Sequence, residues 1–266
     1  MEKQKNNSSV GDFTLNRRVK ILEMLNDEGQ LKINQLTEIF NVSEVTIRND
    51  LTHLEDKGLL VRTRGGGIRI QRVGLDYHLE EKARQNLKEK QAIGKKSVEL
   101  INDNDTIILD SGTTTQEVAK NLSNINNLTV ITNALNIVSQ LIQYPNIRVV
   151  VLGGNLRNSS LSMIGPIAEI NIKNYYCDKL IMGVDSISSL NGISTPTIEE
   201  AHLNRLMIEC AKEVIVVTDS SKFLRRSFAY IAPISIVNTI VTDSKIPESD
   251  YQHLQKANIR TIIVEA

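Results

Sequence analysis

Long apolar runs, paired cysteines and an excess of charge of either sign are all missing from this chain of 266 residues. A membrane-crossing helix needs about 20 consecutive apolar residues, and no run approaches that, so a membrane protein is excluded. The opening stretch MEKQKNNSSV has no apolar core of the kind a signal peptide needs. Cys177 and Cys210 stand at neither a metal-ligand nor a redox spacing. The four histidines, His53, His78, His202 and His253, are scattered, which argues against a metal centre. A cytoplasmic protein without metal or cofactor is expected, its thiols buried and unreactive. No repeat or low-complexity tract interrupts the chain.

What is present describes a globular protein, 41% hydrophobic and 23% charged. The length favours a small domain followed by a larger one. Charge is balanced overall but unevenly laid out: residues 1–72 carry 12 Lys and Arg against 10 Asp and Glu, and residues 73–266 carry 19 against 21. Between Gly58 and Arg72 stand Arg62, Arg64, Arg69 and Arg72 with no acid among them. Such a patch attracts phosphates.

Residues 1–14 are polar and are expected to be disordered. Leu15, Val19, Leu22 and Leu25, with Ile21, recur at helical spacing and stop before Gly29. A short second helix carries Leu36, Ile39 and Phe40, and NVS forms a turn whose Ser43 can cap a third helix. Ile47, Leu51 and Leu54 give that helix a buried face, Gly58 ends it, and LLVRTRGGGIRI makes a hairpin-like wing. This sets a domain over 15–72. Residues 73–90 lack an apolar stripe and are assigned to a linker. From 91 to 266 the runs TIILD, LTVIT, IRVVVLG, KLIMGVD, EVIVVTD, NTIVTD and RTIIVE alternate with helical segments, the pattern of a largely parallel sheet covered by helices.

Residues 34–57 meet the needs of a helix-turn-helix: a tight turn, a capped second helix, and short or hydrogen-bonding residues on its outward face. The major groove admits one helix, where Arg, Asn and Thr match base-edge donors and acceptors and an apolar group meets the thymine methyl. Val45, Thr46, Arg48 and Asn49, behind the capping Ser43, are the candidate readers of double-stranded DNA. Arg62, Arg64 and Arg69 of the wing would meet phosphates and add salt-dependent affinity. A plain helical bundle with Arg48 and Asp50 as solvated charges is the competing reading.

In TIILDSGTTTQEVAKNL a strand ends at Asp110, and Ser111, Gly112, Thr113 and Thr114 follow before a helix begins. Hydroxyls beside a glycine and free amides suit an anion. Other strands end in Thr132 and Asn133, in Gly153 and Gly154, and in Gly183 and Asp185. Ligands of open α/β sheets bind at the carboxyl ends of strands, so these points are expected to converge on one crevice. Glu199 and Glu200 open a helix, where they favour its dipole and could also accept from sugar hydroxyls.

The spacing of Arg17, Ile21, Leu25, Ser43, Thr46, Ile47, Arg48, Asn49, Asp50 and Leu51 matches the signature of the DeoR family of bacterial transcriptional regulators. The chain resembles that family along nearly its whole length, and GLLVRTRGGG resembles the family wing. One departure is Asn49, where the family commonly has a second basic residue. The resemblance implies an α/β protein with an N-terminal winged helix-turn-helix and a larger effector domain similar in fold to ribose-5-phosphate isomerase and glucosamine-6-phosphate deaminase. It also implies a phosphorylated sugar as ligand. TDSSKF, with Asp219 and Lys222, matches a late family motif, and Lys222 would meet the phosphate or a sugar oxygen. The stretch EEAHLNRLMIECAKEVIVVTDSSKF looks closest to the amino-sugar and galactose branch.

The expected function is a repressor of a carbohydrate-catabolism operon, a dimer or tetramer released from operator DNA by a sugar phosphate. The alternative is a sugar-phosphate isomerase or deaminase with an accessory DNA-binding module. Such an enzyme needs a base beside a carbonyl, and Asp185 could serve. GVDSISSLNGIST offers no lysine and no second acid behind it before Glu199, which favours binding over turnover.

Overall fold

The computed structural model describes residues 6–28, 30–57, 59–63, 65–69, 78–188, 192–223 and 227–266. The chain forms two compact units, Met1–Gln71 and Arg72–Ala266. No described helix is long and apolar enough to cross a membrane.

In the first unit, α1 (Asn6–Glu28) and β1 (Gln30–Lys32) lead into α2 (Ile33–Phe40) and α3 (Glu44–Asp56). A hairpin of β2 (Leu60–Thr63) and β3 (Gly66–Arg69) follows. The three strands form one antiparallel sheet, with β3 between β1 and β2. Ile21, Leu25, Leu36, Ile47, Leu51, Leu54 and Leu60 make the core, so the helix periods read from sequence hold in outline. Two positions differ. Val19 is 49% exposed and Ile39 52% exposed, because Ile21 and Leu36 already fill the inward positions of their helices. The polar start is helical from Asn6, against the expected disorder over 1–14, and residues 1–5 lie outside the described residues.

One glycine of the wing, Gly66, has a packing cause. A side chain on Gly66 would collide with the backbone carbonyl of Leu31 on the neighbouring strand, so only glycine lets β1 and β3 pair there. Asp50 is not a solvated charge. It is 1% exposed, and its carboxylate accepts from Arg17 Nε at 2.6 Å and Arg18 Nε at 2.7 Å. These bonds tie α3 to α1, and both arginines are themselves mostly covered.

The second unit runs α4 (Leu79–Arg84), α5 (Leu87–Ser97), β4 (Thr106–Leu109), α6 (Thr113–Ala119), β5 (Leu128–Thr132), α7 (Leu135–Leu141) and β6 (Ile147–Val151). A small hairpin, β7 (Asn155–Arg157) with β8 (Ser162–Ile164), precedes α8 (Pro166–Ile172) and β9 (Cys177–Met182). Then come β10 (Ser186–Ser188), β11 (Gly192–Thr195), α9 (Ile198–Cys210), β12 (Ala211–Val217) and β13 (Ala229–Ala232). The chain closes with β14 (Thr239–Asp243), α10 (Glu248–Lys256) and β15 (Arg260–Val264).

All seven expected strands lie in one parallel sheet, ordered β15-β14-β12-β9-β4-β5-β6. Side chains alternate between its faces. Ile107, Leu109, Ile181 and Ile215 pack with α5, α6 and α7, whereas Ile108, Leu180, Met182 and Val216 pack with α8 and α9. A separate antiparallel sheet, β10-β11-β13, has no forerunner in the sequence reading. Cys177 is buried and Cys210 half-buried, and they are not bonded to each other.

Residues 78–90, expected to be a linker, are α4 and the start of α5, held within the second unit; residues 70–77 lie outside the described residues. Leu79 is buried and its N–H donates to the carbonyl of Ser159 at 2.7 Å. Lys90, 3% exposed, donates to the carbonyl oxygens of Lys82 and Gln85. A charged sequence hid this packing because one leucine and one lysine stem supply it.

Removing a buried ion's partner costs more than removing an exposed pair. Asp50→Ala, which leaves Arg17 and Arg18 facing each other, is expected to destabilise the first unit by about 3 kcal/mol. Arg48→Ala is expected to stay within about 0.5 kcal/mol. Urea unfolding of the full chain, followed by hydrogen exchange in α1 and α3, measures both.

Candidate functional site

In the first unit, α3 presents its N-terminal half outward. Ser43 caps it, accepting from the N–H of Thr46 at 3.2 Å, and the two hydroxyls lie 2.9 Å apart. Val45 is 66% exposed, and Arg48 and Asn49 are exposed beside it. An uncovered valine with a hydrogen-bonding arginine and asparagine is a surface suited to base edges. Arg48 is turned onto Glu44 at 3.1 Å across one helical turn, a weak exposed pair that a stronger partner can replace. Arg62 is not a free wing arginine: its Nη1 donates to Thr52 Oγ1 at 2.7 Å and its N–H to Glu55 at 2.9 Å. Arg64 and the side chain of Arg69 lie outside the described residues.

In the second unit the winding of the sheet reverses between β4 and β9. From β4 the chain proceeds outward through β5 and β6, and from β9 through β12, β14 and β15. At such a reversal the connections leave to opposite faces and a crevice opens. A cleft of about 620 Å³, its open mouth included, lies there. Eight of the expected residues line it: Asp110, Ser111, Gly112, Thr113, Thr114, Gly183, Asp185 and Lys222.

Thr132, Asn133, Gly153 and Gly154 do not line it. They end or follow β5 and β6, one and two strands beyond the reversal, and serve the fold. Thr132 is buried and accepts from the N–H of Ala134 at 3.1 Å, and Asn133 Nδ2 donates to the carbonyl of Met163 at 3.1 Å. Gly153 and Gly154 have φ of +70° and +119°, and a Cβ on Gly154 would stand 2.6 Å from the carbonyl oxygen of Ile164. They shape the turn into the β7–β8 hairpin.

The cleft also gathers groups that the sequence reading missed: Lys82, Lys90, Ser160, Thr195 and Asn204. Glu200 lines it too, whereas Glu199 is exposed. Lys82 Nζ lies 2.7 Å from Asp185 Oδ1, and Lys222 Nζ 4.0 Å from the same oxygen. Glu200 holds Arg157 at 2.9 Å and accepts from Thr195 Oγ1 at 3.2 Å. The lysine and second acid that GVDSISSLNGIST lacks behind Asp185 therefore arrive from other parts of the chain. The absence of an acid/base set, inferred from local sequence, does not hold for the folded cleft.

Burial and neighbouring charge set the protonation of these groups. Asp110 is 3% exposed at the end of β4. Burial, reinforced by Glu200 and Asp185, pushes its carboxyl up to about 7 against the N–H of Ser111 and the amide of Asn204. Burial lowers the Lys90 amine to about 8, although Asp219 opposes it. Burial also raises Glu200, with Arg157 pulling the other way. For Asp219 burial works upward but is outweighed by Lys222, Ser221, Lys90 and Asn86, so its carboxyl lies below the ordinary value. Three lysines thus face the three carboxylates of the cleft and the neighbouring Asp219, and one of these, Asp110, can hold a proton near neutrality.

A raised carboxyl favours the folded state only while it is protonated. Asp110's contribution is complete below about 3.8, its ordinary value, and is lost as pH rises through about 7. Asp110→Asn is accordingly expected to raise the thermal midpoint relative to the parent chain at about pH 8, with the gain fading toward about pH 5. Scanning calorimetry of both chains across that range checks it.

Comparison with known proteins accounts for both units. A DeoR-like helix-turn-helix domain matches residues 17–73, and a DeoR C terminal sensor domain matches residues 85–244. The putative aga operon transcriptional repressor of Escherichia coli O157:H7 is 38% identical over 253 residues, 94% of each chain. Transcriptional repressor AccR of Agrobacterium fabrum is 41% identical over 236 residues, 88% of this chain and 92% of that one. Among solved structures, ribose 5-phosphate isomerase A from Methanocaldococcus jannaschii matches 52% of this chain and 55% of its own at 19% identity, TM-score 0.39; that likeness carries no statement about ligand or reaction. From the two domain models and the near full-length relatives, the chain belongs to the DeoR family of helix-turn-helix transcriptional regulators.

Proposed function

We propose that the protein is a repressor of a carbohydrate-catabolism operon whose hold on operator DNA is released by a phosphorylated sugar in the β4/β9 cleft. The observation that carries this reading is the convergence of Lys82, Lys90 and Lys222 with the hydroxyls of Ser111, Thr113 and Thr114 in one cleft that also holds carboxylates. A phosphate requires cationic groups and hydroxyl donors, and a sugar ring requires acceptors for its hydroxyls. Asp185 and Glu200 are such acceptors, and Asp110 can donate or accept according to its proton.

On the DNA side, Val45, Thr46, Arg48 and Asn49 read bases, Ser43 fixes the start of α3, and Arg62, Arg64 and Arg69 support phosphate contacts. One helix-turn-helix covers only a short half-site, so the working form is a homo-oligomer. The protein acts in the cytoplasm, where operator and sugar phosphate meet. Binding without turnover is favoured by relatives named as transcriptional repressors, since the cleft itself contains acids and lysines in plenty.

A DNA fragment selected by the full chain from a random pool provides the test. Glucose 6-phosphate and galactosamine 6-phosphate are titrated into its complex with the chain, with inorganic phosphate as control. Arg48→Ala is expected to lose about 1–3 kcal/mol on the selected fragment and little on random DNA. At least one sugar phosphate is expected to lower the affinity of the parent chain by about 1–3 kcal/mol. Equal loss on both DNAs refutes the assignment of Arg48, and indifference to every sugar phosphate refutes the effector reading.

A further inference from the structure

The short helix α4 is the first described element after the DNA-binding unit. The first unit ends at Gln71 and α4 begins at Leu79. Three of its hydrogen bonds involve residues of the cleft. The N–H of Leu79 donates to the carbonyl of Ser159, Lys82 Nζ pairs with Asp185, and the carbonyl of Lys82 accepts from Lys90 Nζ. Leu79, Lys82, Lys90, Ser159 and Asp185 all line the cleft. Just beyond α4, Asn86 Nδ2 donates to Asp219 at 2.8 Å. The stretch that continues covalently toward the DNA-binding unit is therefore fastened by the groups among which a ligand must settle.

Lys82 is the pivotal tie. Its side chain is 17% exposed and that of Asp185 23%, so the pair is reachable from the cleft yet shielded enough for its charge to matter. Lys222 stands 4.0 Å from the same carboxylate oxygen and can keep Asp185 compensated when Lys82 turns away. An anion entering the cleft competes with Asp185 for Lys82, and α4 carries the consequence because Lys82 sits within it.

Resting on the effector reading above, we propose that Lys82 is both a ligand contact and the relay residue of the sensor: a bound phosphate draws it from Asp185, re-seats α4, and so passes occupancy toward the DNA-binding unit. The coupling needs no contact beyond the chain's own continuity. What α4 supplies is an element whose attachment differs with and without ligand, as coupling between two sites demands.

Hydrogen exchange of the full chain, with and without glucose 6-phosphate or galactosamine 6-phosphate, tests the first half. Amides in residues 79–86 are expected to change exchange rate along with those in 110–116. Protection of 110–116 with no change in 79–86 overturns the relay while leaving the effector reading intact. No change in either segment with any sugar phosphate overturns both.

The second half is read as the ratio of DNA affinity without ligand to that with saturating ligand. In the parent chain it is expected at about 5–150. Lys82→Gln is expected to bring it within about twofold of unity even where calorimetry shows the ligand bound, and Lys82→Arg, which keeps the cation, to preserve most of it. Asp185→Asn removes the resting partner of Lys82, so residues 79–86 should exchange faster before ligand and recover protection after it. A parent-like ratio in Lys82→Gln at full occupancy refutes the relay.

Discussion

Where β4 and β9 lie side by side, the chain leaving one turns to α6 on one face of the sheet and the chain leaving the other goes on to α9 on the opposite face. No helix can cover the gap between them, and the backbone at 110–114 and 183–185 borders it. Everything polar in the cleft is placed by that reversal. It brings Asp110 against Asn204, sets Asp185 before Lys82 and Lys222, and leaves room for Lys90 beneath α4. Thr132, Asn133, Gly153 and Gly154, at the ends of β5 and β6, are likewise small or polar but lie past the reversal, where they shape turns and the hairpin.

The cleft is held by mutual compensation. Lys82 and Lys222 share Asp185, Arg157 neutralises Glu200, and Asp219 collects Lys222, Asn86 and Ser221. Ion pairs in a partly dry site cost desolvation to assemble, so an incoming dianion finds cations already stripped of water. The same closeness couples the cleft to pH. A negative ligand near Asp110 would push that carboxyl further up and draw in a proton, so acid favours binding on the Asp110 side while alkali removes charge from Lys90.

The seven parallel strands and the three-helix start were legible because each rests on local periodicity, and local periodicity is what a sequence displays. Seven of the twelve expected cleft residues were legible for a related reason, since Asp110 through Thr114, Gly183 and Asp185 sit directly at strand ends. Lys222 came from the family resemblance. The four misplaced residues show what strand ends alone cannot settle: strand order decides which ends meet, and order depends on contacts between distant segments. Lys82 and Lys90 were hidden for another reason. They lie in a charged stretch that reads as a solvated connection, and nothing in QNLKEK marks one lysine as buried. The burial of the Asp50 carboxylate was hidden in the same way, set by Arg17 and Arg18 more than 30 residues earlier.

In the proposed function, occupancy of the β4/β9 cleft and DNA binding by α3 are linked through one protein. Linkage is reciprocal: if ligand weakens DNA binding by a given factor, DNA must weaken ligand binding by that same factor. The most direct measurement is calorimetric titration of a releasing sugar phosphate into the full chain, alone and saturated with its selected DNA fragment. The expected result is a weaker dissociation constant in the presence of DNA, by the factor found for release and on the order of 5–150. An identical constant with and without DNA would contradict it, and the cleft would then be a ligand site with no voice in DNA binding.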